Sequence, residues 1–415
     1  MAKTSFSQMT RVFGRIGLMS FGGPAAQISL MHRELVDTAK WLTEKQFLGA
    51  LSFCMLLPGP EAMQLATYCG WKLRGTPGGL LAGLLFVLPG AAIIFALAAL
   101  YIGFGDVPLV QSAFLGIKAA VVAIIFQALL RLSGKVLTGR LEWIIALLSC
   151  ASLYSGLLPF PAVIALAALV GLMRPNRSPE SPQPTTHTPL SATLKTVLIW
   201  GTLWAAPVAL LYALDAQFLI DIAVFFSKLA VVTFGGAYAV LAYMVQAVVQ
   251  DHGWITTGEM MDALGLAETT PGPLILVTQF VATLAGHHQG GITLAIAAGL
   301  TALWCTFIPC FLWIFAGAPH VSRILGHPRL TGALHVISAA VTGVIINLSL
   351  WFTLSLIFGP LLTNHAIPLP DLTQFQPLTA ALVALASALL LGLRLPLLLV
   401  LGVCALAGMV AATLL

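Results

Sequence analysis

SFGGPAAQISLMHRELV, running from Ser20 to Val36, and LLPGPEAMQLATYCG, from Leu56 to Gly70, decide how this chain is read. Each places glycine and proline inside an apolar run, where a regular helix cannot continue undisturbed. A shift of 213 residues lays Phe21-Gly22-Gly23 on Phe234-Gly235-Gly236 and Pro58-Gly59-Pro60 on Pro271-Gly272-Pro273. The same shift puts Trp41 on Trp254, Thr43 on Thr256, Arg15 on Lys228 and Ser20 on Thr233. A shift of 220 then pairs Pro89 with Pro309 and Ile117-Lys118-Ala119-Ala120 with Ile337-Ser338-Ala339-Ala340. Matches at polar as well as apolar positions identify a duplication.

Composition sets the solvent. Hydrophobic residues fill 59% of 415 positions and charged residues 8%, against about 25% charged in a soluble domain. Apolar runs of about 20 residues, enough to cross a bilayer, recur along the chain. The N-terminus lacks the short apolar core and small-residue cleavage site of a secretory signal. A net charge of +5 reads as basic cytoplasmic loops rather than a nucleic-acid or acidic partner. The six cysteines lie in apolar segments without a CxxC pair and read as buried thiols.

The expected fold is an all-α polytopic membrane protein of two inverted homologous repeats. The first repeat covers 10–173, a cytoplasmic Pro-rich linker 174–195, a connecting transmembrane helix 196–214, and the second repeat 218–415. Each half carries six apolar segments, so the extra helix makes an odd number and the second half enters from the opposite side. With the N-terminus inside, Lys72, Arg74, Arg131, Lys135, Arg140, Arg329 and Arg394 fall on the cytoplasmic side, while Asp106, Asp215 and Asp371 fall outside. Residues 32–45 carry Arg33, Lys40 and Lys45 and fit this rule only if the first two segments of each half are re-entrant hairpins. That arrangement is preferred here. It places FGG and PGP near the hairpin tips and the acidic stretch from Asp251 to Asp262 outside.

Helices that start after such breaks present unpaired N–H groups and a positive dipole end, which together bind anions. The candidate substrate-binding residues are therefore Ser20, Phe21, Gly22, Gly23, Pro58, Gly59, Pro60 and Gln64, with Thr233, Phe234, Gly235, Gly236, Thr270, Pro271, Gly272, Pro273 and Gln279 in the second half. Lys118, in the middle of an apolar segment, either faces a cavity or pairs with an acid. Arg15 and Lys228 are candidate anion-attracting residues that could equally snorkel to the interface. Glu61 and Glu268, flanking the two PGP triplets, are candidates for proton coupling or gating. His287 and His288 read as a short solvated loop with no metal. No HExxH, GxSxG, GxxxxGK[ST] or Rossmann fingerprint occurs, and no catalytic residue is assigned.

Five segments carry a family resemblance: FGGPAAQISLMHRELV (21–36), LLPGPEAMQLATYCGWKLRGTPGGLLAGLLFVLPG (56–90), GIKAAVVAII (116–125), FGGAYAVL (234–241) and TPGPLILVTQFVATLAG (270–286). In them the chain resembles the chromate ion transporter family in its long two-domain form. The resemblance implies a bacterial inner-membrane carrier that exports chromate, confers chromate resistance and meets sulfate as a competitor. No cofactor is expected, and a homo-oligomer is left open. The second half departs from the first, with Leu274 for Glu61 and Ser338 for Lys118. A sulfate-type importer, an anion channel and an intramembrane chromate reductase are the alternative readings.

Overall fold

The computed structural model describes residues 4–174, 189–234, 237–321, 327–359, 361 and 368–414. Most of the linker, and Gly235 and Gly236 of the second FGG, lie outside the described residues. Fifteen α-helices are described: α1 (Phe6–Met19), α2 (Gly23–His32), α3 (Glu44–Met55), α4 (Glu61–Phe104), α5 (Pro108–Val136), α6 (Arg140–Tyr154), α7 (Phe160–Leu172), α8 (Leu190–Ala213), α9 (Gln217–Val232), α10 (Ala237–Val245), α11 (Thr257–Glu268), α12 (Val277–Gly317), α13 (Pro328–Phe358), α14 (Pro377–Ser387) and α15 (Leu397–Leu414). The stretch Glu61–Phe104, α5, α8, Leu274–His320 and α13 are long and apolar enough to cross a bilayer. Exposed leucines and isoleucines along α8, such as Leu194, Leu198, Ile199, Leu203 and Leu210, suit contact with lipid chains.

These helices form two compact units that cut across the sequence halves. The first contains 1–98, 175–237 and 267–332, and the second 99–174, 238–266 and 333–415.

In the first unit, hairpins replace straight spans. Arg15 of α1 lies 3.7 Å from Glu34 beyond α2, and the rings of Phe13 and Trp41 are 6.5 Å apart. Both pairs straddle Gly22-Gly23, so α2 turns back along α1. Phe53 of α3 packs on Tyr68 of α4 at 5.7 Å, so the chain reverses again at PGP. A third reversal lies within α4, where Arg74 and Gly75 leave helical geometry and Gly75 adopts φ 65. A Cβ on Gly70 would sit 2.3 Å from the carbonyl oxygen of Gly78 and 2.6 Å from the Ala82 methyl, as only antiparallel arms allow. The arms on either side of PGP, of 12 residues in α3 and a similar length in α4, reach about 20 Å. That falls short of a hydrocarbon core about 30 Å thick.

α12 repeats the design, with its break at Gly290 and Gly291 (φ 74). The second arms of α4 and α12 are repeat equivalents, and their contacts fix their relative direction. A Cβ on Gly79 would meet Phe315, on Gly83 Phe311, and on Gly299 Phe95. The partner's number falls as the other rises, so the two copies run antiparallel. Moreover, Gly83 with Phe311 and Gly299 with Phe95 exchange under a single shift of 216 residues, as a two-fold relation requires. The repeat is inverted.

Proline inside a helix strands the carbonyl four residues earlier. In α8, Pro207 strands Leu203, and the indole N–H of Trp304 in α12 donates to that oxygen at 3.0 Å. A neighbouring helix thus supplies the bond that lipid cannot.

In the second unit α5 packs against α14 and α15. Gly116 admits the Cys404 carbonyl and Gly408 the Ser112 carbonyl, again an antiparallel register. α13 meets α6 where Gly343 lies against Ala146. Each of α5 and α13 therefore packs on terminal helices of the other half.

Candidate anion site at the hairpin tips

α1 ends at Ser20, whose hydroxyl donates back to the Ile16 carbonyl. Its repeat mate Thr233, closing α9, donates in the same way to Leu229. Each back-bonded turn leaves its own carbonyl free to face the other half. The Gly59 N–H donates to the Thr233 carbonyl at 2.9 Å, and the Gly272 N–H donates to the Ser20 carbonyl at 3.0 Å. The two bonds exchange under the repeat: each PGP glycine is tied to the residue that precedes FGG in the other copy.

This changes the expected chemistry at PGP. Unpaired amides were expected at all four breaks, but those of Gly59 and Gly272 are already engaged. Among the described residues of the four breaks, the amide end that stays open belongs to α2. Its N-cap Gly22 has φ 86, Gly23 has φ 77, Pro24 follows, and no side chain caps it. Gly22, Ala25 and Ala26 are exposed there, and so is Phe21.

Three glutamines line this framework. Gln64 donates to the Pro58 carbonyl at 2.6 Å and Gln279 to the Ala91 carbonyl at 2.9 Å. Both are fully buried, so each holds backbone rather than presenting its bonded N–H to a passenger. Gln27, which sequence reading did not single out, donates to the carbonyls of Gly272 at 2.7 Å and Ser20 at 3.3 Å. Its only signal was position, one turn past FGGP in a helix whose other face is apolar. The Oε1 atoms of all three are buried without a hydrogen-bond partner. Unmet acceptors so close to the tips mark a polar site rather than a sealed core.

The remaining candidates distribute as follows. Glu61 opens α4, half-buried, and Glu268 closes α11, buried. Thr270 donates to the Ala267 carbonyl at 2.8 Å, and Pro271, Gly272 and Pro273 are all buried. Arg15 is paired with Glu34 and keeps 58% of its side chain exposed. Lys228 lies on α9, one turn before Thr233, and Phe234 follows that turn. At the base of the first hairpin, hydrogen bonding to Glu44 and the nearby Asp37 raise the His32 pKa. His287 and His288 are helical, in α12 just before its break, rather than in a loop.

Lys118 belongs to the second unit and does not stand alone. Its Nζ lies 3.2 Å from Oδ2 of Asp262, and the Tyr101 hydroxyl donates to the same oxygen at 2.9 Å. Of the two readings left open, the acid pair is the one observed. Asp262, expected in an external acidic stretch, is a buried residue of α11. Glu259, three residues earlier, accepts from the Thr256 amide at 2.7 Å.

An inverted repeat of broken apolar helices, locked across its hairpin tips, defines a polytopic membrane transport protein. Comparison with known proteins narrows this. The chromate transporter family profile matches residues 7–172 and 220–409. The chain is 33% identical over 348 residues to a chromate transport protein of Pseudomonas aeruginosa, covering 82% of this chain and 79% of that one. It is 30% identical over 411 residues to a probable chromate transport protein of Synechococcus elongatus, covering 98% and 95%. A chromate transport protein of Cupriavidus metallidurans is 30% identical over 340 residues, or 81% and 80% of the two chains. No solved structure matches. The chain belongs to the chromate transporter family. It is a transport protein, not an enzyme.

Proposed function

We propose that this protein carries chromate out of the cytoplasm by alternating access around its inverted repeat, with sulfate as a competing dianion. It sits in the bacterial inner membrane with its N-terminus inside. The observation that carries this reading is the reciprocal pair of tip bonds, Gly59 to Thr233 and Gly272 to Ser20. Two equivalent arrangements related by a two-fold exchange are what a carrier needs to present one site alternately to each side. The open N-terminus of α2, between Phe21 and Ala26, is the anion's resting place on this reading, with the tip residues around it.

Energetics permit outward movement without a nucleotide. A dianion leaving a cell that is negative inside gains about 2.3 kcal/mol per charge per 100 mV. Chromate uptake into inverted membrane vesicles, driven by an imposed inside-positive potential, tests the proposal. Saturable uptake that sulfate inhibits is the expected result. Flux only in right-side-out vesicles points instead to a sulfate-type importer, and non-saturating flux with unitary currents to a channel; either overturns the carrier.

A further inference from the structure

In the second unit two donors, the Lys118 ammonium and the Tyr101 hydroxyl, converge on one carboxylate oxygen of Asp262. We propose that Asp262 is the resident counter-anion of Lys118, occupying a subsite that the transported oxyanion takes by displacing it. An ammonium and a phenol aimed at a single oxygen are the donor set that one oxygen of a tetrahedral dianion accepts. Asp262 Oδ2 stands where that oxygen would lie.

Three features set this pair apart from a bridge that serves only the fold. The first is incomplete satisfaction. Asp262 is 3% exposed, yet its Oδ1 has no hydrogen-bond partner. A permanent buried bridge repays its desolvation only when the remaining lone pairs are met. The second is access. Lys118 keeps 22% of its side chain exposed, and α11 offers Gly258 beside it, where even a Cβ would lie 3.4 Å from Nζ. The third is that the equivalent place in the other repeat lacks the pair. The repeat counterpart of Lys118 is Ser338, that of Asp262 is Gly49, and the Ser338 hydroxyl merely bonds the Leu334 carbonyl of its own helix at 2.8 Å. The duplicated architecture closes without the ion pair at the equivalent place, so the architecture does not demand it.

Displacement has a proton consequence. A carboxylate left buried without its cation neutralises rather than remain bare. Asp262 therefore takes up one proton from water when the oxyanion seats on Lys118, and returns it when the oxyanion leaves. The other titratable groups acting on this cluster are Tyr101 of α4, Glu259 of α11 and Asp106 in the α4–α5 turn. Glu259 is engaged by the Thr256 amide and hydroxyl.

The proposal rests on the transport reading above, and its test separates the two. Purified full-length protein in liposomes is assayed for chromate uptake across mildly acidic to mildly alkaline pH. Sulfate, which stays a dianion throughout, is the competing probe. In the wild type, acid should tighten sulfate inhibition, because protonating Asp262 frees Lys118. Asp262→Asn should lower the apparent KM for chromate about tenfold and flatten the pH dependence of sulfate inhibition, as expected for removal of a competing site occupant. Lys118→Gln should raise KM, and Tyr101→Phe should raise it less. Wild-type sulfate inhibition that ignores pH overturns the proposal even if a variant fails to fold. So does a Lys118→Gln/Asp262→Asn double variant with the wild-type KM and pH profile, which marks a bridge without a passenger. Wild-type liposomes that move no chromate refute the transport reading itself.

Discussion

At the scale of single residues, the tip glycines separate two demands that sequence alone merges. Gly22 and Gly59 both have positive φ, 86 and 117, where a side chain costs about 1–2 kcal/mol. A Cβ at Gly22 meets nothing nearer than the Ala26 methyl at 3.4 Å, whereas at Gly59 it lies 2.8 Å from Gln64 Nε2 and 2.9 Å from Cys310 Sγ. Gly59 also donates the bond to Thr233. Gly22→Ala should therefore lower thermal stability by the backbone cost alone, about 1–2 kcal/mol. Gly59→Ala should cost a further 1–3 kcal/mol or so through overpacking and impair transport in step. Equal losses in a detergent melting assay would show that the tip contact contributes nothing. These breaks were legible in the sequence because glycine and proline act locally. The partners of the tip amides were not: Gly59 and Thr233 lie far apart in the chain, and no periodicity encodes a bond between two turns. The same blindness hid the partner of Lys118: nothing in the sequence ties it to Asp262, which was read only as part of an external acidic stretch.

At the scale of helices, Pro207 and Trp304 form a compensated defect. The sequence marks Pro207 as a helix fault, but nothing in it says which neighbour repairs the stranded Leu203 carbonyl. The structure assigns that repair to the Trp304 indole. Trp304→Phe keeps an aromatic ring but leaves the carbonyl unpaired, at about 1–3 kcal/mol. Pro207→Ala restores a backbone N–H able to close the regular helical bond. The double variant Pro207→Ala/Trp304→Phe should accordingly melt higher than Trp304→Phe alone, and the double-mutant cycle should show coupling of about 1 kcal/mol or more. Additive losses would mean that water or lipid headgroups already serve Leu203. The same logic explains why re-entrant hairpins were only a preference from loop charges. Whether an apolar run continues or doubles back depends on packing such as Gly70 against Gly78 and Ala82, not on hydropathy.

For the whole molecule, inversion follows from the antiparallel course of the second arms of α4 and α12, and it constrains the bookkeeping of crossings. Hairpins at α1–α2 and at α3 with the first arm of α4 return to the side they left, and the duplication implies the same parity for their repeat equivalents. They contribute nothing to parity. The second half is then flipped only if the helices between those two arms make an even number of crossings, so that the chain leaves α4 and enters α12 on the same side. α5 and α8, both long and apolar enough to cross a bilayer, supply two, and α6 with α7 add an even number whether the pair crosses or returns. The packing of α8 is correspondingly one-sided: Trp200 of α8 lies on Phe311 and Phe315 of α12 at 5.6 and 5.1 Å. On this count we propose α8 as the element that converts a duplication into an inverted repeat. With α13, α14 and α15 following α12, the termini should lie on opposite faces, the N-terminus in the cytoplasm with the basic loops around Lys72 and Arg74. Membrane-impermeant labelling of a cysteine placed near each end, in a background lacking the six native cysteines, should mark the C-terminal site in intact cells. The N-terminal site should label only after permeabilisation. Labelling of both ends from one side would contradict the inverted course of α4 and α12.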